Sequence, residues 1–388
     1  MKILVVGSYY DCNLGDAVIC DCAAQRLRHF FPDAQVDVHD IYRRFAFPEV
    51  VEIPTMDELR RIKQQLLKDH YESSHTERDI RLEQEEWNIG HWRVAEHVNT
   101  LAQTGYDVVV FAGGQIFMDY LGLFAETFVQ GFGKLGTPVI FTACGTGPRY
   151  SPGVQKRLSL ALMDPCVKLV SCRDDVRLVN RVYMEGRKRA VPTFDPGLHC
   201  AEVYGIKKDE NATYVGLGMM FTRSVSSTAA AQLWVQLIGE MDRKKIPWKI
   251  FVNGSWEDIA FAKYVYSMLE NQTGTFEDHF VPAPRRPREL VQMIAGFRSL
   301  ISFRLHSHVI AASLDIPSVA LFWDPKVKFF FKKIKHPERC CYVTTRPAVI
   351  LKRLEKAEKK GYDRSLLERQ KQYADELLYR AIQDATSL

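Results

Sequence analysis

Short continuous apolar runs punctuate this chain, each closed by a polar or glycine-rich loop and followed by residues at helical spacing. The runs are 2–7 (KILVVG), 36–41, 107–112 (DVVVFA), 138–143, 168–171, 214–218, 248–252, 300–303 and a segment ending at Trp323. Uninterrupted runs of this length predict strands buried on both faces, as in a parallel sheet. Helical stretches alternate with them, at 17–31 (stopped by Pro32), 229–243, 259–269 and 309–314. The alternation predicts the α/β class. Gly7 and Gly15 lie too far apart for the dinucleotide fingerprint that a first strand–loop–helix unit sometimes carries.

The pattern divides the chain. A first Rossmann-like domain is expected over 1–204, with Thr193-Phe194-Asp195-Pro196-Gly197 near its exit and the polar connector KKDENA (207–212) after it. A second Rossmann-like domain is expected over 205–346, with short strands at 280–282 and 341–344, and a charged helical tail over 347–388 with Tyr379 on its apolar face. Within the first domain, 55–101 turns polar and helical with charges of both signs, as a solvated helical face does. His70, His75, His91 and His97 lie there without a metal-pair spacing and read as surface histidines.

At 388 residues the chain exceeds one ordinary core. A hydrophobic share of 46% with 26% charged residues fits a globular protein, and a net charge of +5 does not point to nucleic acid, though it suits an anionic small molecule. No apolar run reaches transmembrane length and 1–7 leads directly into a strand, so a cytoplasmic location is expected. The nine cysteines show no paired metal spacing and read as reduced core thiols, Cys12 in its loop excepted.

The loops carry the candidate chemistry. In an open α/β sheet, ligands sit at the carboxyl ends of the strands. Four such loops in the first domain are Asn13-Leu14-Gly15-Asp16, Gly113-Gly114-Gln115, Gly145-Thr146-Gly147 and Ser171-Cys172-Arg173-Asp174. Asp16 reads as a helix N-cap, and turn and cap chemistry alone accounts for Asn13 and Asp16 as readily as a cleft does. Arg173 is the strongest charged candidate, as a bidentate anion binder at a strand end. The second domain offers Arg304, His306 and Ser307 after one strand, and Asp324 and Lys326 after the next. His308 reads as packed within its helix.

These loops, with Phe194-Asp195-Pro196, Ser302-Phe303-Arg304-Leu305-His306-Ser307 and Asp324-Pro325-Lys326, resemble the polysaccharide pyruvyl transferase family in order and over most of the chain. The resemblance implies two Rossmann-like domains facing across a cleft, as in GT-B glycosyltransferases, with the tail packing back on the first. It implies pyruvate transfer from phosphoenolpyruvate to a sugar, forming a cyclic ketal, with no cofactor and no metal. Arg173, His306 and Lys326 would then be the catalytic donor-site residues. Arg304, Ser307, Asn13, Asp16, Gly113, Gly114, Gln115, Gly145 and Asp195 would border the substrates. Two anionic groups on the donor ask for fixed cations, and an imidazole suits proton transfer. The acceptor would be a saccharide, lipid-linked in some members, and the aromatic–lysine run 329–333 would suit contact with an anionic membrane, as would Arg285, Arg286 and Arg288. Two other functions share the pattern: a GT-B glycosyltransferase with a nucleotide-sugar donor, using Glu257 or Asp258 on the ribose or base, and a non-catalytic sugar-binding relative.

Overall fold

The computed structural model describes residues 1–49, 53–61, 92–149, 151–184, 189–222, 224–270 and 274–387. The centre of the polar excursion, with His70, His75 and His91, lies outside them. The first domain runs β1 (Lys2–Gly7), α1 (Leu14–Phe30), β2 (Gln35–Asp40), α2 (Trp92–Ala102), β3 (Val108–Ala112), α3 (Asp119–Gly133), β4 (Val139–Cys144), α4 (Pro152–Leu162), β5 (Val167–Cys172), α5 (Val176–Val182) and β6 (Val191–Pro192). Its strands pair in parallel in the order β2-β1-β3-β4-β5-β6. A 3₁₀ turn at Pro196–His199 and α6 (Cys200–Tyr204) lead out of it.

The second domain runs β7 (Val215–Gly218), α7 (Ser227–Arg243), β8 (Trp248–Phe251), α8 (Trp256–Ser267), α9 (Phe276–His279), α10 (Pro287–Ala295), β9 (Ser299–Ser302), α11 (Leu305–Ser313), β10 (Ser318–Leu321), α12 (Pro325–Lys333), β11 (Cys340–Cys341) and α13 (Pro347–Lys360). Its parallel order is β11-β10-β9-β7-β8. Strand order reverses beside β1 in the first sheet and beside β7 in the second. The loops after β1, β3, β7 and β9 therefore flank the two crevices where α/β sheets take ligands.

Alternation along the strands feeds a core on each face. In the first sheet Leu4, Val6, Val109, Phe111 and Phe141 pack under α2, α3 and α4. Ile3, Val5, Val108, Val110 and Ile140 face α1 and α14 (Arg364–Thr386), whose Leu378 and Ile382 join that core. Arg26 of α1 binds Asp375 of α14 through both carboxylate oxygens, at 3.2 and 2.6 Å. Tyr379 stacks on Phe31 at 5.4 Å between ring centroids.

Helix α1 buries apolar residues on two sides. Cys20, Ala23, Ala24 and Leu27 face the first sheet. Leu14, Val18 and Cys22 pack against α10 and α11 of the second domain. The two domains thus share an apolar seam along one helix.

Several local expectations change. Phe280 makes a single bridge to Ile250 rather than a strand, and the expected strand at 341–344 shrinks to β11. Residues 329–333 lie in α12, where Phe330 and Phe331 are buried. Those two rings are core, so they offer a membrane no apolar face. Asp16 sits in the first turn of α1, which begins after Asn13, so it does not cap the helix. The first amide of α1 is satisfied from the other domain: Leu14 N–H donates to the Asn253 carbonyl at 3.1 Å. Among the described residues, no helix is long and apolar enough to cross a membrane.

Candidate functional site

Arg173 follows β5 directly and is 5% exposed. Its Nη1 donates to Asp195 Oδ2 at 2.7 Å, while its Nε is buried without a partner. Asp195 is in turn fixed as the cap of the 3₁₀ turn, accepting from Gly197 N–H at 2.9 Å. Glycine lets the guanidinium lie on backbone: a Cβ at Gly145 would stand 3.2 Å from Arg173 Nε, and one at Gly113 3.6 Å from Nη1. Burial opposes the Arg173 charge, but Asp195 and Asp16 beside it hold its pKa above the ordinary value. Asp174 beside it accepts from the Thr146 amide at 3.0 Å.

Lys326 enters from the second domain as the second residue of α12. Asp324 caps that helix by accepting from the Lys326 amide at 2.9 Å. The Lys326 Nζ crosses to Gln115 Oε1 at 2.6 Å and lies 4.5 Å from the centre of the Trp323 ring. Gln115 is itself held by the Thr146 carbonyl at 2.8 Å. Burial lowers the Lys326 amine to about 8.

His306 is the second residue of α11, and its ring packs on Gly15, where a side chain would collide with it. Its Nε2 is buried without a hydrogen-bond partner and stands 4.0 Å from Asp16 Oδ1. Burial, then the charges of Arg173 and Lys326, push its pKa well below the ordinary histidine value, so the ring is neutral. Asp16 is held by Asn13 Nδ2 at 3.4 Å, and burial raises its carboxyl to about 6 against the pull of Arg173.

The expected residues therefore fall into two groups. Arg173, Asp195, Lys326, Gln115, His306, Asp16 and Asn13 converge, with Gly113, Gly114 and Gly145 as their bed. Arg304 and Ser307 are engaged elsewhere. Arg304 points Nε and Nη2 at Asp258 Oδ2, at 2.9 and 2.6 Å. Asp258 is fully buried, and its other oxygen accepts from Phe221 N–H. Asp258 thus holds Arg304 in place as Asp195 holds Arg173, but of the two guanidiniums only Arg173 keeps a buried nitrogen without a partner. Ser307 Oγ donates to Asn253 Oδ1 at 2.9 Å, which fixes the loop whose carbonyl caps α1. His308 packs as expected, with Nε2 3.0 Å from the Ser302 carbonyl.

Two contributors escape sequence reasoning. Asn253 joins the domains through main chain and side chain, and Gly254 beside it has φ +109° where a Cβ would strike the Cys12 carbonyl. Lys333 donates to the Thr193 carbonyl at 2.6 Å and lies 5.1 Å from the centre of the Phe194 ring. It lines, with Arg173, Asp195, Lys326 and Phe330, a cavity of about 20 Å³, room for one water. Its spacing was the available signal: Lys326 and Lys333 are seven residues apart, two turns along one helix face. All nine cysteines are free, and burial raises the Cys12 thiol to about 11, which argues against a reactive thiolate there.

Known proteins resemble this chain in family and in fold. The family model described as polysaccharide pyruvyl transferase matches residues 13–325, from Asn13 to the residue before Lys326. No curated protein sequence gives a significant match. Among solved structures, S. aureus MnaA with UDP superposes with a TM-score of 0.58 at 9% identity, covering 100% of this chain and 97% of that one. A putative UDP-N-acetylglucosamine 2-epimerase from Listeria monocytogenes gives 0.59 at 9% identity, covering 98% and 95%. The trehalose-6-phosphate synthase OtsA gives 0.55 at 9% identity, covering 99% of each. At these identities the likeness is one of fold, the two-domain GT-B architecture.

Proposed function

The chain belongs to the polysaccharide pyruvyl transferase family, and on that premise we propose that it moves pyruvate from phosphoenolpyruvate onto two hydroxyls of a sugar, closing a cyclic ketal and releasing phosphate. One observation carries the reading. Two cations from opposite domains, Arg173 and Lys326, meet at one place with a neutral imidazole, and both Arg173 Nε and His306 Nε2 are buried there without partners. Unpaired buried polar atoms are costly in a finished structure and mark a place where a ligand completes the bonding.

The donor fits those groups. Its carboxylate and phosphate need fixed donors, and Arg173 and Lys326 supply a fork and a point charge. They also face the charge that grows on the departing phosphate. His306 Nε2 carries a proton to or from the reacting centre. The donor groups are split between the two domains, so the loops part for entry and close for reaction. A nucleotide-sugar donor is the less favoured reading: of its two candidate carboxylates Asp258 is consumed by Arg304, which leaves Glu257 alone for a ribose or base.

The acceptor is read as a saccharide of a glycan or polysaccharide precursor. The test is mass spectrometry of a saccharide panel after incubation with phosphoenolpyruvate, with parallel phosphate detection. A product heavier by one pyruvyl ketal supports the proposal. Phosphate release without that product, or transfer from a nucleotide sugar instead, refutes it.

A further inference from the structure

The reaction proposed above makes a demand that one histidine does not meet. In its first half the methylene carbon of phosphoenolpyruvate gains a proton while a hydroxyl attacking the adjacent carbon loses one. In its second half the bond from that carbon to the phosphate oxygen breaks, the phosphate gains a proton, and the second hydroxyl loses one as it closes the ring. The two hydroxyl protons end on the methyl group and on phosphate, so no net proton is exchanged with solvent. Each half nevertheless needs one group to give and another to take at nearly the same moment.

The carboxylates around the site can be sorted by what already binds them. Asp195 is taken by Arg173, Asp258 by Arg304, and Asp174 by the amides of Thr146 and Asp175. Asp11 is paired with Arg44 at 2.8 Å. Asp16 differs. Its Oδ2 has the Asn13 amide at a long 3.4 Å, and its Oδ1 faces the unpartnered His306 Nε2 at 4.0 Å. The two come from different domains, and the glycine beside Asp16 is what allows the imidazole so near.

Resting on the phosphoenolpyruvate reading, we propose that Asp16 and His306 form one proton couple across the domain boundary. Asp16 gives its proton to the methylene carbon while His306 Nε2 takes that of the first hydroxyl. In the second half His306 gives that proton to the leaving phosphate, and Asp16 takes the proton of the second hydroxyl. Both groups return to their starting state. The geometry makes the couple only when the domains meet, so proton transfer is confined to the closed enzyme.

Burial sets the starting state. Asp16 is raised to about 6 and His306 is lowered well below its usual value, so a protonated carboxyl beside a neutral imidazole is populated in weakly acidic solution. The charged groups that act on the couple are Arg173 from the β5 loop, Lys326 from α12, Arg304 from the start of α11, and Asp11 and Asp195 on the acidic side. Lys326 changes charge near 8, well above Asp16. The falling limb of kcat as pH rises past about 6 therefore belongs to the couple.

The test is the kcat–pH profile of phosphate release from phosphoenolpyruvate with a saccharide acceptor, for wild type, Asp16→Asn and Asp16→Glu. Asp16→Asn keeps the shape and the Asn13 contact. It is expected to lower kcat by roughly 10³-fold and to flatten the limb near pH 6, since a positioned acid or base contributes about 10²–10⁴-fold. Thermal-shift binding of phosphoenolpyruvate should persist in Asp16→Asn, since Arg173 and Lys326 both remain. Asp16→Glu should regain part of the rate with the limb displaced. Asp16→Asn turning over within tenfold of wild type, or keeping the wild-type limb, overturns the couple while leaving the donor reading intact. A wild-type protein that releases no phosphate with any saccharide overturns both.

Discussion

Replacing Gly15 by alanine is the sharpest test of how the two domains meet. Gly15 is the second residue of α1, in ordinary helical geometry, so alanine suits its backbone and should favour the helix by up to about 1 kcal/mol. The added Cβ, however, would stand 2.5 Å from both Cβ and Cγ of His306, against the 3.4 Å at which ordinary contact begins, a shortfall of 0.9 Å. Rotating the imidazole does not relieve this, because His306 Cβ moves only with the backbone of α11. The second domain must retreat by roughly 1 Å, and a displacement of that size in a reacting constellation costs on the order of 10²-fold in rate. The expected result is a wild-type circular-dichroism spectrum with kcat for phosphate release down about 10²-fold, and a larger loss for Gly15→Val. Wild-type kcat in Gly15→Ala would refute the reasoning, since it would mean that His306 does its work without resting on α1.

Three further outcomes are expected. The affinity for phosphoenolpyruvate should weaken as pH rises through about 8, because Lys326 is protonated below that value and neutral above it; in Lys326→Arg the weakening should move beyond the range of the assay, as read from KM against pH. Asp195→Ala should cost about 3–5 kcal/mol in denaturant unfolding by stranding a buried guanidinium, and the added change Arg173→Met should recover much of it. Ile382→Ala should cost about 2–5 kcal/mol even though it lies far along the tail, because that side chain is fully buried against the first sheet.

Much of this architecture is legible in the sequence because parallel strands are short apolar runs and their loops carry unlike chemistry. The β5 loop with Arg173 and the loops before α11 and α12 stand out for that reason, and the structure brings Arg173, His306 and Lys326 to one place. What stays hidden depends on pairings with no local pattern. Arg304 and Arg173 both look free until Asp258, 46 residues before the first, and Asp195, 22 residues after the second, are seen against them. Asn253 reads as a turn residue, yet it supplies the cap of α1 across the domain boundary. Nor does a local pattern show that α1 lies between two domains and packs against both. The phenylalanines of α12 illustrate the converse, since a mixed aromatic–lysine run reads equally as core edge or membrane face until burial decides.

The return of α14 to the first sheet bears on the order of events during synthesis. The side of β3, β4 and β5 that carries Val110, Ile140 and Leu169 is covered by a helix made from residues 364–386. A ribosome adding about 5–20 residues per second completes that helix roughly 10–40 s after the first domain's last strand has emerged. Throughout that interval the nascent first domain shows an uncovered apolar sheet face. The protein is thus most exposed to misassembly while its second domain is being made, and chaperone binding should concentrate there and end when the final helix docks.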